Sequence, residues 1–182
     1  LSRRPEGKII PREIFKKRDF LIIGSGKSLN VNRYKIEKFI KIHKPFIICL
    51  NTVKLINENL VDLRVACHPM RIISDIKFHN SSKTKVALPF SMLTKKITKL
   101  IKIKRNQILD YGLMVNYNSK IFIKKKYCII PSPLAVGYCL SIIISSGIKN
   151  KKIFFAGFDG FNESNSNIDE SDQIFKLFKK IL

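Results

Sequence analysis

Short apolar runs of strand length recur along this chain and alternate with stretches of helical periodicity. Helical patterns cover 34–40, 92–101 and 133–147. Because the apolar runs contain few polar residues, they predict strands buried on both faces, which is typical of a parallel sheet covered by helices. The runs lie at 20–24, 46–51, 61–67, 85–90, 107–113, around 120–130 and at 152–159.

The alternation predicts an α/β domain of Rossmann-like architecture, with a mostly parallel sheet, helices on both faces and three layers. We assign residues 19–182 to this domain and leave open whether it is truncated at its C-terminus. Residues 1–18 are interpreted as a connector from an upstream domain, because they form a polar, proline-containing segment. A polar loop is predicted at 162–172, followed by an amphipathic helix.

The chain of 182 residues carries 35 lysines and arginines against 13 acidic residues, a net charge of +22. Such a charge attracts phosphate-rich partners at long range, so nucleic acid is one candidate partner. The lysines are spread through nearly every segment, however, and most phenylalanines fall in core-like runs. This pattern argues against nucleic acid as the main partner.

Four cysteines lie far apart, without the short Cys-x-x-Cys or Cys/His spacing of a zinc site. Three of them fall within apolar runs and are interpreted as buried thiols of a reducing compartment. The N-terminal segment lacks the apolar core of a signal peptide, and the longest apolar stretch is too short to cross a bilayer. We therefore expect a cytoplasmic protein with no membrane span, no metal site and no cofactor.

The sequence FLIIGSGKSLN at 20–30 places a glycine-rich turn directly after the first predicted strand. A phosphate-binding P-loop needs a glycine at the position that Leu21 occupies, so the strict motif is absent. The turn still allows close approach of a phosphate to backbone N–H groups. The alternative is a tight strand-to-helix turn that Ser28 caps. The candidate residues are Gly24, Ser25, Gly26, Lys27 and Ser28.

Three further candidates follow predicted strands, at the sheet edge where open parallel sheets bind ligands. His68 and Arg71 lie in ACHPMR, and Asp159 lies in AGFDGFN. An imidazole exchanges a proton near neutral pH, and a guanidinium holds a phosphate or carboxylate through two hydrogen bonds. The aspartate is suited to sugar hydroxyls. The alternatives are a packed histidine, an arginine on a solvated helix face and an aspartate that caps a turn.

In this order, the motifs resemble the C-terminal domain of bacterial surface-polysaccharide proteins whose N-terminal half is an aldolase of the HMG-CoA-lyase, 4-hydroxy-2-oxovalerate aldolase type. The resemblance covers nearly the whole chain and implies an upstream aldolase domain as a further partner. The motifs that carry it are the glycine turn at 20–29, LN at 50–51, DLRVACHPMRIISD at 62–75, LPFSML at 88–93, LDYGL at 109–113, IIPSPLAVGYCLSIIISSG at 129–147 and IFFAGFDGFN at 153–162.

More distantly, the same motifs are similar to small bacterial sialyltransferases that use CMP-sialic acid, and to the 6-hydroxymethylpterin diphosphokinase family. In the sialyltransferases a GNGPSL loop, an Asn after the second strand and a Ser before the long helix hold the nucleotide. The resemblance therefore implies nucleotide contacts by the glycine turn and places Asp159 on the sugar side. Asn51 and Ser132 are the further nucleotide-binding residues that it implies.

This sequence departs from the sialyltransferase pattern at two points that bear on catalysis. Ser25 and Lys27 replace the Asn and Pro of the sialyltransferase loop. The general-base histidine of that family lies in a segment beyond the residues of this chain, so either His68 replaces it or the domain does not catalyse the transfer. His68 and Asp159 are accordingly the candidate catalytic residues, and Arg71 is the candidate phosphate- or carboxylate-binding residue.

Three functions remain open from the sequence. The first is a nucleotide- or nucleotide-sugar-binding domain, transferase-like, in bacterial cell-surface polysaccharide biosynthesis. The second is a non-catalytic ligand-binding or docking module of an aldolase protein. The third is a nucleic-acid-binding domain, which predicts a contiguous basic face and binding that weakens steeply with salt.

Overall fold

The structure is a computed structural model that describes residues 5–8, 11, 14–15, 18–118 and 120–159. The loop predicted at 162–172 and the helix predicted after it lie outside these residues. The strands are β1 (Phe20–Ile23), β2 (Phe46–Leu50), β3 (Leu63–Val65), β4 (Lys85–Leu88), β5 (Ile108–Asp110), β6 (Gly112–Val115), β7 (Phe122–Ile123), β8 (Tyr127–Ile130) and β9 (Ile153–Ala156). The helices are α1 (Ser28–Val31), α2 (Arg33–His43), α3 (Pro69–Ser74), α4 (Ile76–Ser81), α5 (Lys95–Leu100) and α6 (Ala135–Ser145).

Six parallel strands form the main sheet in the order β5-β4-β3-β2-β1-β9. β1 lies between β2 and β9: Phe20 pairs with Phe46 of β2 on one side and with Ile153 of β9 on the other. The chain therefore builds the sheet outward from β1 to β5 and then returns to the opposite side of β1. This reversal makes the gap between the ends of β1 and β9 the topological switch point of the sheet.

Alternate residues of the strands contact different layers, which is why the runs are apolar throughout. Leu21 and Ile23 of β1 pack with α1 and α2, while Phe20 and Ile22 pack in the cluster that contains α6. Ile72 of α3 joins strand residues of β4 and β5 on the α1–α2 side. The predicted α/β architecture with a parallel sheet and three layers is confirmed.

The second face of the sheet is shared between α6 and a small three-stranded sheet, ordered β6-β8-β7. β6 pairs with β8 in parallel, and β7 pairs with β8 antiparallel. The apolar run at 107–113 is thus two strands, because the chain leaves the main sheet at Tyr111. The Tyr111 hydroxyl lies 2.8 Å from the carbonyls of both Lys124 and Tyr127, which share its one proton, and this contact fixes the departure.

The described part of the N-terminal segment packs against the domain. The Gly7 N–H donates to the Lys126 carbonyl at 2.9 Å, and a Cβ added to Gly112 would lie 1.5 Å from the Pro5 carbonyl oxygen. Phe15 is buried, with its ring edge-on to Phe20 at 5.1 Å. These described residues of the segment interpreted as a connector are therefore part of the core, while the link to an upstream domain stays a prediction.

Candidate functional site

An open cleft of about 1220 Å³ lies beyond the carboxyl ends of β1, β2, β3 and β9. The first turn of α6 closes one side of it. This is the position where ligands bind in open parallel sheets, beside the switch point between β1 and β9. The cleft is lined by residues 24–27, 50–53, 67–68, 70–71, 74, 133–136 and 157–159.

The glycines of the β1 turn allow two loops to pack backbone against backbone. The Gly26 N–H donates to the Gly157 carbonyl at 2.9 Å, and the Gly24 N–H donates to the Ala156 carbonyl at 2.9 Å. A Cβ on Gly24 would lie 2.5 Å from the Gly157 carbonyl oxygen, and one on Gly26 would lie 2.6 Å from a carboxylate oxygen of Asp159. Any side chain larger than hydrogen would therefore separate the β1 and β9 loops.

Asp159 holds the start of α1 from the other loop. Its carboxylate accepts the Ser28 backbone N–H at 2.6 Å and also the Ser28 hydroxyl. These hydrogen bonds from Ser28, first of all the one from its hydroxyl, lower the pKa of Asp159 although the side chain is solvent-exposed. Asp159 is thus an ionised cap for a helix that precedes it by 131 residues. A carboxylate with a lowered pKa is a weak proton acceptor.

The side of the cleft that α3 forms, the α3 wall, carries the basic side chains of His68 and Arg71. His68 stands at the N-cap of α3, where Pro69 starts the helix, and Arg71 lies three residues later. Both side chains are exposed, as is that of Lys27 across the cleft. None of the three has a hydrogen-bond or ion-pair partner among the residues that the structure describes. Asp159 is the one carboxylate in the described lining, so the cleft suits an anionic ligand.

The loop after β2 is held by a buried arginine that sequence reasoning missed. Arg64 is 1% exposed, and its guanidinium donates at 3.0 Å to each of the carbonyls of Asn51 and Val53. It also pairs with Glu58 through two hydrogen bonds, which lowers the pKa of Glu58 to about 2. The sequence signal was a single charged residue inside the apolar run at 61–67, where an unpaired charge would be costly.

Asn51 takes a left-handed backbone conformation with φ of 52°, which asparagine tolerates better than most residues. Its N–H donates to the Val65 carbonyl at 2.8 Å, and Arg64 holds its carbonyl. The backbone groups of Asn51 are therefore both committed to the protein. Its half-buried side chain lines the cleft, where the amide offers two donors and an acceptor.

One hydrogen bond ties the β2 loop to the α3 wall. The Thr52 hydroxyl donates to the carboxylate of Asp75 at 3.0 Å, and Asp75 directly follows α3. The same loop therefore contacts Arg64 behind it and α3 in front of it.

The first turn of α6 lies at the cleft, and no side chain in the described ranges caps it. The leading N–H groups of a helix have no partner within it and carry partial positive charge. Cys67 donates from its thiol to the Pro133 carbonyl at 3.1 Å, which fixes the approach to this helix. Burial raises the pKa of the Cys67 thiol, so it stays protonated and serves packing.

The structure brings most of the predicted site residues to one cleft. Ser28 does not line the cleft itself, but it contacts Asp159, which does. Ser132 is half-buried and directly precedes Pro133, the first of the cleft residues at the start of α6. The residues at the cleft itself are Gly24, Ser25, Gly26, Lys27, Asn51, His68, Arg71 and Asp159. Within the described ranges, no three His, Cys, Asp or Glu side chains are placed to hold a metal ion.

Comparisons of the chain with protein-family models, with curated proteins and with solved structures give no match. Among the described helices, none combines the length and the apolar character needed to cross a membrane.

Proposed function

We propose that this domain binds a nucleotide or nucleotide-sugar in the cleft beyond β1, β2 and β9. The observation that carries the proposal is that Lys27, His68 and Arg71, basic side chains with no partner among the described residues, line the same cleft as the first turn of α6, which no described side chain caps. Both features favour phosphate. The cleft volume of about 1220 Å³ is sufficient for a ligand larger than a free phosphate.

In this proposal, each side of the cleft contacts a different part of the ligand. Lys27 and Arg71 stand on opposite sides and neutralise phosphate oxygens between them. The amide of Asn51 recognises the base or ribose, because it lies on the β2 side of the cleft and no hydrogen bond to another described residue engages it. Apolar residues of the lining, including Val53 and Val136, contact the flat face of the base.

As a transferase, the domain would act in bacterial cell-surface polysaccharide biosynthesis, as the resemblance described above implies. An acceptor hydroxyl oxygen would form a bond to the sugar's anomeric carbon, while the bond from that carbon to the nucleotide phosphate breaks. The leaving phosphate oxygen keeps the electron pair, and His68 takes the hydroxyl proton. His68 suits this role because an imidazole exchanges protons near neutral pH.

One observation favours a second candidate function, a non-catalytic ligand-binding or docking module of an aldolase protein. Asp159, the other candidate catalytic residue, is committed to Ser28 by two hydrogen bonds. Its lowered pKa makes it an anchor for the β1 and β9 loops. In this function the cleft binds its ligand by the same contacts, and no group transfer follows.

A thermal-shift titration tests the binding proposal. The purified chain is heated with CMP, CMP-sialic acid, UDP-sugars, ATP or inorganic phosphate at low and high salt. Ligand at about a hundred times its Kd stabilises the folded state by about 2.7 kcal/mol, which raises Tm of a domain of this size by about 5 to 10 °C. The expected result is a shift with one nucleotide class that survives high salt.

A pair of variants separates the cleft from the general charge. Arg71→Gln removes one cation from the cleft, and Arg105→Gln removes one beside β5, where its guanidinium lies over the Phe90 ring. Loss of the shift in the first variant alone supports the proposal. Equal, salt-sensitive shifts with every anion, unchanged in both variants, would contradict it. Sugar release from CMP-sialic acid that requires His68 then distinguishes the transferase from the docking module.

A further inference from the structure

The outer side of α2 carries exposed apolar side chains between lysines. Val31 just before the helix is 86% exposed, Tyr34 is 76% exposed and Ile42 is 62% exposed. Lys35 and Lys38 on the same helix are also exposed. We call the following six residues the α2 strip: Val31, Tyr34, Lys35, Lys38, Lys41 and Ile42.

Helical geometry places the strip on one side. At about 100° per residue, the positions from Tyr34 to Ile42 that belong to the strip span an arc of about 120°. The opposite side of α2 is the one that packs on the sheet, through Ile36, Phe39 and Ile40. The helix therefore has a second group of apolar side chains, which faces solvent and is separate from the apolar side chains that pack on the sheet.

The acidic residue nearest the strip on this helix, Glu37, is paired with Arg33. None of Lys35, Lys38 and Lys41 forms an ion pair with a residue that the structure describes. The ion pair of this helix, Arg33 with Glu37 at 2.9 Å, lies beside the strip and joins two residues outside it. The strip thus presents three lysines that form no ion pair with a described residue, together with three exposed apolar groups.

We infer that the α2 strip is a docking surface for a membrane that contains anionic lipids. Lysine ammonium groups bind lipid phosphates, while valine, isoleucine and tyrosine enter the boundary between headgroups and acyl chains. Nucleic acid would use the lysines and Tyr34, since bases stack on aromatic rings, but it has no use for the exposed aliphatic groups of Val31 and Ile42. The helix is about 16 Å long and would lie in the plane of the interface.

This placement has a geometric consequence for the cleft. The strip begins three residues after Ser28, so docking would bring the glycine turn of β1 close to the membrane surface. The cleft would then open beside the lipid headgroups. The inference stands on the surface of α2 and does not depend on the ligand of the cleft.

Vesicle co-sedimentation of the full chain tests the inference. The two vesicle types are phosphatidylcholine alone and phosphatidylcholine with phosphatidylglycerol. We expect sedimentation with the anionic vesicles only. The triple variant Lys35→Gln, Lys38→Gln, Lys41→Gln should lower the partition coefficient by about fivefold per lysine. The double variant Tyr34→Ser, Ile42→Ser should lower it by about tenfold with the charge unchanged.

Matched variants on other surfaces serve as controls. Lys95→Gln, Lys96→Gln, Lys99→Gln removes the same charge from α5, and Leu60→Ser, Leu100→Ser removes two exposed apolar side chains elsewhere. Both controls should sediment like the parent chain. Equal loss in the control and strip variants would show that the net charge alone drives binding and would overturn the inference. Absence of vesicle binding, or binding of a single-stranded RNA by the strip lysines alone, would also overturn it.

Discussion

Replacement of Arg64 by methionine should strongly destabilise the domain, because the buried guanidinium holds both the β2 loop and Glu58. The change leaves the carbonyls of Asn51 and Val53 without their donor, and each unsatisfied buried group costs about 1–3 kcal/mol. The loss of the ion pair costs less at Glu58, since its side chain is 36% exposed and keeps its hydrogen bonds from Ser82 and Thr84. The sum is about 3–5 kcal/mol, in the range measured when one partner of a buried pair is removed.

Chemical denaturation followed by circular dichroism measures this loss, and thermal melting should show a fall in Tm of about 10 °C. Arg105→Met is the control: the Arg64 guanidinium lies over the Phe78 ring, and that of Arg105 lies over the Phe90 ring in the same way but is exposed. It should cost less than about 1 kcal/mol. A double-mutant cycle with Glu58→Gln should give a coupling of at least about 1 kcal/mol. A loss below about 1 kcal/mol for Arg64→Met would refute the assigned role.

Three further predictions concern acid stability, the cleft wall and the β9 loop. Because the folded pKa of Glu58 is lowered to about 2, its contribution is complete at neutral pH and disappears as the pH falls from about 4.5 towards 2. In Glu58→Gln, the free energy of unfolding should therefore fall less steeply with decreasing pH over that interval, as measured by denaturation at a series of pH values. Thr52→Val removes the link to α3 and should cost about 1 kcal/mol and weaken nucleotide binding, whereas Thr84→Val should cost a similar amount without changing affinity. Gly157→Ala should cost more than about 2 kcal/mol in urea denaturation, because φ is 73° and a Cβ would lie 2.6 Å from a leucine of α1. Gly147→Ala should cost about 1 kcal/mol, since φ is 66° but the space around it is open; equal losses at the two glycines would contradict the role of the close contact.

The parallel sheet was predictable because its strands are buried on both faces and so have no polar alternation. The same signal failed to divide the run at 107–113, since β5 and β6 are both apolar and the chain changes sheet between them. What decides the division is Tyr111, whose hydroxyl finds its acceptors only when β8 is in place. A contact of this kind has no local pattern in the sequence.

The candidate site was predictable in position but less so in detail. Residues after strand ends converge because the strands are parallel, and His68 and Arg71 therefore reach the same cleft as the glycine turn. The sequence left open that Asp159 caps a neighbouring turn, and the structure shows that it caps α1 instead. Arg64 was missed because its partners come from two segments, the loop after β2 and Glu58, that meet its side chain only in the folded domain.

The bond between Ser28 and Asp159 has a consequence for the order in which the protein matures. A ribosome releases the glycine turn and α1 early, but their cap arrives 131 residues later. Until β9 adds to β1, the start of α1 lacks its acceptor and one wall of the cleft does not exist. Such long-range closure is slow compared with local helix formation. Appearance of ligand affinity during refolding would therefore report the addition of β9 and its loop, and a chain stopped before Ile153 would fold its early strands without this wall of the cleft.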